Sequence, residues 1–278
     1  MSRIKSISET AAAQGRKLLI PYLVAGDPDL GHSLGLMHEL VRQGADIIEL
    51  GIPFSDPASD GPVIQRGVER ALAGGTSLAD TLKLVSQFRE QDSQTGIVLM
   101  GYLNPIEIMG YERFVGAASE VGIDGLLVVD MPPAESSELH QRLHEANLDS
   151  IYLVAPTTSA IRAKAITEVC SGYLYYVSLK GVTGAALMDH ESVASSINEL
   201  RKLTDLPIAI GFGIKDADSA AAMGRLSDGI IIGSALVERI ADMSPGAVNE
   251  SDLVRSCEVI GAARAALDGL QEDKAASL

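Results

Sequence analysis

Eight short apolar runs constrain this chain more than any other feature. They cover residues 18–24, 46–51, 97–101, 125–130, 150–155, 173–178, 207–211 and 229–233. A strand with one wet face alternates apolar and polar residues. Runs this rich in Val, Ile and Leu mark strands covered on both faces. The segments between them repeat with helical period: Leu78, Leu82, Val85 and Phe88 form one stripe, Ile161, Ala165 and Val169 another. Val193, Ile197 and Leu200 form a third, and Leu253, Cys257, Ile260 and Leu267 a fourth. Each stripe can lie on a sheet while the opposite face meets water. Alternating strands and helices imply parallel pairing through right-handed crossovers, and eight such units in 278 residues match a closed (β/α)8 TIM barrel. The competing open, doubly wound sheet carries a glycine-rich turn after its first strand. Ala25-Gly26-Asp27-Pro28 lacks that pattern, so the barrel is favoured.

Three additions are expected on this frame. A helix around Ile4, Ile7 and Ala11 caps the bottom, a helix over 62–73 follows the second strand, and a short helix from Ser234 follows the eighth. The whole of 1–278 reads as one domain, with 271–278 as a disordered tail.

Composition removes several functions. A net charge of −15 argues against nucleic acid, whose phosphates attract Lys and Arg. It also leaves any bound anion dependent on local donors. No apolar run approaches the roughly 20 residues needed to cross a bilayer, and the first 14 residues do not read as a signal peptide. Cys170 and Cys257 stand far apart on helical patterns and read as packing residues in a reducing compartment. A cytoplasmic protein is expected.

Barrel chemistry sits at the C-terminal ends of the strands. There the sequence offers Tyr22, Glu49, Met100, Tyr102, Asp130, Leu153, Tyr175, and the glycines of 211–213 and 233. No His or Cys pair stands among them, so no metal site is expected. Glu49 ends a strand, and Asp60 lies on the proline-rich loop that follows it. A fixed acid facing a mobile one suits proton transfer, although an ordinary strand end and turn fits the same spacing. Glycines recur after the sixth strand (181 and 184), the seventh (211 and 213) and the eighth (Gly233-Ser234). Barrels often hold a substrate phosphate at the last two of these loops, where backbone N–H groups can approach an anion. His140 and His144, four apart on a helix, read as a solvent-exposed pair because acids and amides surround them. His32, His38 and His190 show no obvious partners, and Asp130 reads as a structural acid.

Together, residues 21–28, 49–62, 102–105, 181–185, 211–213 and 233–235 resemble the α subunit family of tryptophan synthase. The resemblance implies a cofactor-free lyase that cleaves indole-3-glycerol phosphate to indole and D-glyceraldehyde 3-phosphate. It implies that Glu49 is the general acid–base and that Asp60 pairs with the indole N–H. It places Gly184, Gly213, Gly233 and Ser234 on the phosphate. Tyr22, Met100, Leu127, Val129, Leu153, Tyr175 and Phe212 fall on the indole pocket, and Thr183 on a mobile loop that closes over Asp60. A β subunit carrying pyridoxal phosphate is the implied partner in an α2β2 assembly, met through Asp56 and Pro57. Two alternatives stay open: another phosphate-binding barrel isomerase, or a weakly active subunit that mainly activates its partner.

Overall fold

The computed structural model describes residues 2–177, 190–211 and 213–275, with side chains through residue 271. Eight parallel strands close into a barrel in sequence order, with each neighbour pairing with the next and β8 pairing with β1. The strands are β1 (Leu18–Val24), β2 (Ile47–Gly51), β3 (Gly96–Gly101), β4 (Gly125–Val128), β5 (Asp149–Val154), β6 (Leu174–Val177), β7 (Ile208–Gly211) and β8 (Gly229–Ile232). The helices are α1 (Arg3–Ala13), α2 (Leu30–Arg42), α3 (Pro62–Ala73), α4 (Leu78–Arg89), α5 (Leu103–Met109) and α6 (Tyr111–Glu120). They continue as α7 (Ser137–Glu145), α8 (Ala160–Val169), α9 (His190–Leu200), α10 (Ala217–Leu226), α11 (Ser234–Ile240) and α12 (Glu250–Ala275).

All three expected additions are present. Ile4 of α1 is fully buried among inward-facing residues of the barrel, including Leu18, Ile47, Leu127 and Ile151, so α1 closes the bottom. Helices α3 and α11 start at Pro62 and Ser234, as the sequence predicts. One difference lies after β3, where two helices stand in place of one. Pro105 is tolerated in the first turn of α5 because a first-turn N–H has no intrahelical partner. Gly110, at φ 85°, then separates α5 from α6 in a conformation that favours glycine. A second difference is at the C-terminus: α12 runs on to Ala275, so residues 271–275 of the expected tail are helical, and 276–278 lie outside the described residues. Among the described residues, no helix is long and apolar enough to cross a membrane.

The bottom of the barrel is fastened by a repeated device. Asp46, Asp124 and Asp228 immediately precede β2, β4 and β8. Each accepts the backbone N–H of the preceding odd strand, from Leu19 at 2.9 Å, Ile97 at 2.8 Å and Ile208 at 3.0 Å. Each also donates its own N–H to the carbonyl of that same residue. Ser171, just ahead of β6, makes the equivalent pair with Ser150 through its hydroxyl at 2.9 Å. Arginines brace the three acids: Arg16 and Arg264 on Asp46, Arg3 and Arg89 on Asp124, and Arg201 on Asp228. At Asp46 and Asp124, which are nearly buried, such charge-assisted bonds are the strong kind, whereas the Asp228 pair is more exposed to water.

His32, His38, His140 and both cysteines resolve as structural groups, whereas His144 and His190 are exposed. His140 is half-buried, not exposed. Its Nδ1 lies 3.2 Å from the Ser150 hydroxyl, and burial lowers its pKa. His32 is buried and does have a partner, the Asp29 carboxylate at 2.9 Å. His38 stacks on Phe88 with ring centroids 4.9 Å apart. Asp130 accepts the Leu103 N–H at 2.8 Å and so caps α5. Burial pushes the Cys170 and Cys257 thiols up to about 12, which leaves both inert.

Candidate active site

The C-terminal ends of the strands surround a cleft of about 500 Å³, within the range that encloses a small-molecule ligand. Its walls include Tyr22, Asp60, Met100, Val129, Leu153, Tyr175, Gly213, Gly233 and Ser234, nine of the residues the sequence nominated. Comparably large hollows occur between α6 and α7 and beneath the barrel, but they lie away from the strand ends where barrel chemistry is built.

Glu49 is fully buried on β2, below the cleft wall, in register with Tyr22 on β1 and Val98 on β3. Burial among these apolar neighbours pushes its carboxyl to about 8, and a hydrogen bond from the Tyr173 hydroxyl at 2.5 Å pulls the other way. The Tyr173 bond engages Oε1. Oε2 is buried with no hydrogen-bond partner among the described residues. Near neutral pH such an acid retains its proton, ready to donate it and take one back.

Asp60 occupies the loop between β2 and α3. Partial burial raises its pKa, and a hydrogen bond from Tyr102 opposes that shift. Several contacts fix the loop. The Tyr102 hydroxyl also accepts the Ser59 N–H at 3.0 Å, and the Phe54 ring leans on the Tyr102 ring at 5.5 Å. The Gln65 side-chain amide donates to the Asp60 carbonyl at 2.9 Å and reaches the Pro57 carbonyl at 3.4 Å. Asp56 stays exposed at the loop tip, and Pro57 is half-buried. On the other flank, the buried Asp27 carboxylate takes two bonds from Arg70, at 2.7 and 2.8 Å, and so ties the β1–α2 loop to α3.

Two glycines make room for the tyrosines of the cleft. A Cβ on Gly51 would sit 2.3 Å from the Tyr22 hydroxyl, and one on Gly211 would sit 2.2 Å from the Tyr175 hydroxyl. Gly213, at φ 75°, adopts a backbone that side chains resist.

Not every nominated residue reaches the cleft. Leu127 lies in the fully buried layer beneath it, because its position on β4 is two residues lower than Val129. Thr183, Gly184 and Phe212 lie outside the described residues. Conversely, Ile64, Val177, Ile214, Lys215, Ile231 and Glu238 line the cleft without having been singled out. Tyr173 was missed as well. Its one signal was period-two spacing from Tyr175, which puts both rings on the same face of the strand.

The family model described as "Tryptophan synthase alpha chain" matches residues 9–266. The chain is 54% identical over 243 residues to the tryptophan synthase alpha chain of Psychrobacter cryohalolentis, covering 87% of this chain and 89% of that one. It is 48% identical to that of Alkalilimnicola ehrlichii over 277 residues, covering 99% of this chain and 100% of the other. A crystal structure of tryptophan synthase subunit alpha from Legionella pneumophila superposes with a TM-score of 0.87 at 41% identity, covering 97% of this chain and 99% of that one. A closed eight-stranded barrel, two acids of raised pKa at its C-terminal end and this degree of likeness lead to one conclusion: the chain belongs to the tryptophan synthase alpha chain family.

Proposed function

We propose that this protein is a carbon–carbon lyase that cleaves indole-3-glycerol phosphate into indole and D-glyceraldehyde 3-phosphate. The observation that carries the reading is the pair of acids, Glu49 beneath an apolar cleft and Asp60 on its wall. Retro-aldol cleavage needs an electron sink. Protonation of the indole ring carbon that bears the side chain creates one, and Glu49 in its acid form supplies that proton. Asp60, beside the ring N–H, stabilises the positive charge that develops on the indoleninium. Such a contact strengthens in the transition state and so accelerates the step. The Glu49 carboxylate then takes the proton of the adjacent side-chain hydroxyl. The bond between the ring and the side chain breaks, its electron pair returns to the ring, and the hydroxyl carbon becomes the aldehyde. Glu49 ends protonated, as it began, so the cycle consumes no cofactor.

In this reading, Tyr22, Met100, Val129, Leu153, Tyr175 and Phe212 hold the indole, with Leu127 supporting them from below. Gly184, Gly213, Gly233 and Ser234 receive the phosphate, and Thr183 belongs to the loop that closes over Asp60. The exposed Asp56 and the neighbouring Pro57 offer a docking point for a β subunit in an α2β2 complex, and pyridoxal phosphate belongs to that partner. A cytoplasmic site of action fits a biosynthetic role of this kind.

Indole release from indole-3-glycerol phosphate by the purified chain, with and without a β subunit, tests the proposal. Turnover of a sugar phosphate in place of indole release would assign the site to an isomerase.

A further inference from the structure

The cleft repels the charged end of the ligand proposed for it. Asp60 and Glu238 both line it, and the chain as a whole carries −15. A phosphomonoester brings up to two further negative charges near neutral pH. The proposed phosphate groups, Gly213, Gly233 and Ser234, offer neutral donors alone. Lys215 is the one cation among the described residues that line the cleft. It stands two residues past Gly213, on the loop after β7. Glu238 lies on α11, after β8, and β7 and β8 are hydrogen-bonded neighbours with Gly211 opposite Ile231. The two opposite charges therefore follow adjacent strands, Lys215 on the loop after β7 and Glu238 on the helix after β8, at one end of the cleft.

Neither charge is neutralised by an ion pair among the described residues. Asp216, beside Lys215, feels its charge without forming an ion pair, because its carboxylate is engaged by Ser219, through the backbone N–H at 2.9 Å and the hydroxyl at 2.6 Å, in the cap of α10. Next to Glu238, Arg239 turns to Glu258 on α12, at 4.0 Å.

We infer that Lys215 supplies the side-chain charge that draws the substrate phosphate into the cleft and that Glu238 opposes it, so that this pair sets the preference for phosphorylated over unphosphorylated ligands. The inference rests on the phosphate reading of the site given above. Both residues are exposed, so water weakens the interaction and the effect is modest, about three- to fivefold in affinity for each removed charge.

The test uses the full chain and two unreactive probes with a plain propyl chain on the indole, one ending in phosphate and the other in a hydroxyl. Calorimetric titration of the wild type is compared with Lys215→Gln, Lys215→Arg and Glu238→Gln. Lys215→Gln is expected to weaken the phosphate probe three- to fivefold and leave the alcohol unchanged. Lys215→Arg is expected to retain wild-type affinity, and Glu238→Gln to tighten the phosphate probe alone. Added salt should weaken phosphate binding to the wild type more than to Lys215→Gln. Equal losses for both probes, or no loss in Lys215→Gln while the wild type still prefers phosphate, overturns the role of Lys215. A wild type that binds the two probes equally removes the phosphate reading itself and this inference with it.

Discussion

The Tyr173 hydroxyl holds Oε1 of Glu49 at 2.5 Å, while Oε2 of the same carboxyl is buried with no partner among the described residues. The two oxygens of one acid are thus made unequal. One is fixed to the barrel, and the other is left to carry the proton that moves. A buried polar atom without a partner costs free energy, and in the proposed mechanism the ligand supplies that partner.

Glu49→Gln is expected to abolish indole formation while the barrel folds normally, which a steady-state assay alongside circular dichroism would check. The stability comparison adds a second readout. The Glu49 carboxyl is raised from 4.5 to about 8, so its contribution to folding is fully present below pH 4.5 and is lost as pH rises through about 8. The glutamine variant lacks this dependence. Its stability relative to wild type should therefore climb across that window by on the order of a few kcal/mol. A difference in urea midpoint that stays flat with pH would contradict the assignment.

The rate should follow a bell in pH. Activity should fall as pH rises through about 8, when Glu49 loses the proton it must donate. It should also fall on the acid side as Asp60, whose pKa burial raises, becomes protonated. Asp60→Asn should lose much of the rate, on the order of a few kcal/mol of transition-state stabilisation, and with it the acid limb. An acid limb that persists in Asp60→Asn would assign it to another group.

Tyr173→Phe removes the hydrogen bond that favours the ionised form of Glu49. The alkaline limb of the rate profile should shift to higher pH, a change that loss of packing alone would not produce. A limb left in place would show that the bond does not tune the acid.

Gly51→Ala should impair catalysis more than folding, because its Cβ would press on the Tyr22 hydroxyl at 2.3 Å and push the ring into the cleft. Adding Tyr22→Phe deletes the oxygen but leaves a ring carbon 2.8 Å from the new Cβ, so it should restore only part of the activity. If the double variant is no better than the single one, the defect lies in the strand and not in the cleft.

Asp124→Ala should cost about 3 kcal/mol of stability, since it strips a nearly buried acid from Arg3, Arg89 and the Ile97 N–H. Indole turnover per folded molecule should be unchanged, because the residue lies at the opposite end of the barrel from the cleft. Chemical denaturation and active-site titration together would separate the two effects.

The frame of this molecule was legible because it is local. Continuous apolar runs such as 18–24 and 229–233 require two covered faces, and Pro62 and Ser234 start helices at the places their chemistry favours. Glu49 and Asp60 could be nominated because strand ends and the loops after them are where barrels place their chemistry. What escaped was contact across the barrel. Nothing in the neighbourhood of Tyr173 announces that its hydroxyl will meet an acid 124 positions earlier in the chain. Likewise, nothing near Gly51 announces that it makes space for Tyr22. Leu127 was placed one layer too high because strand alternation identifies the inward face but not the depth along it. His140 was misjudged because an acidic helix can still turn one polar residue toward the sheet.

The side-chain clasps at the barrel's lower rim join the strands two by two: first with second, third with fourth, fifth with sixth, seventh with eighth. The cylinder is therefore a ring of four cassettes, each with its own latch. A chain divided between the fourth and fifth strands would keep every latch within one piece, whereas a cut between the third and fourth would separate Ile97 from Asp124. Reassembly of split halves should favour the first division.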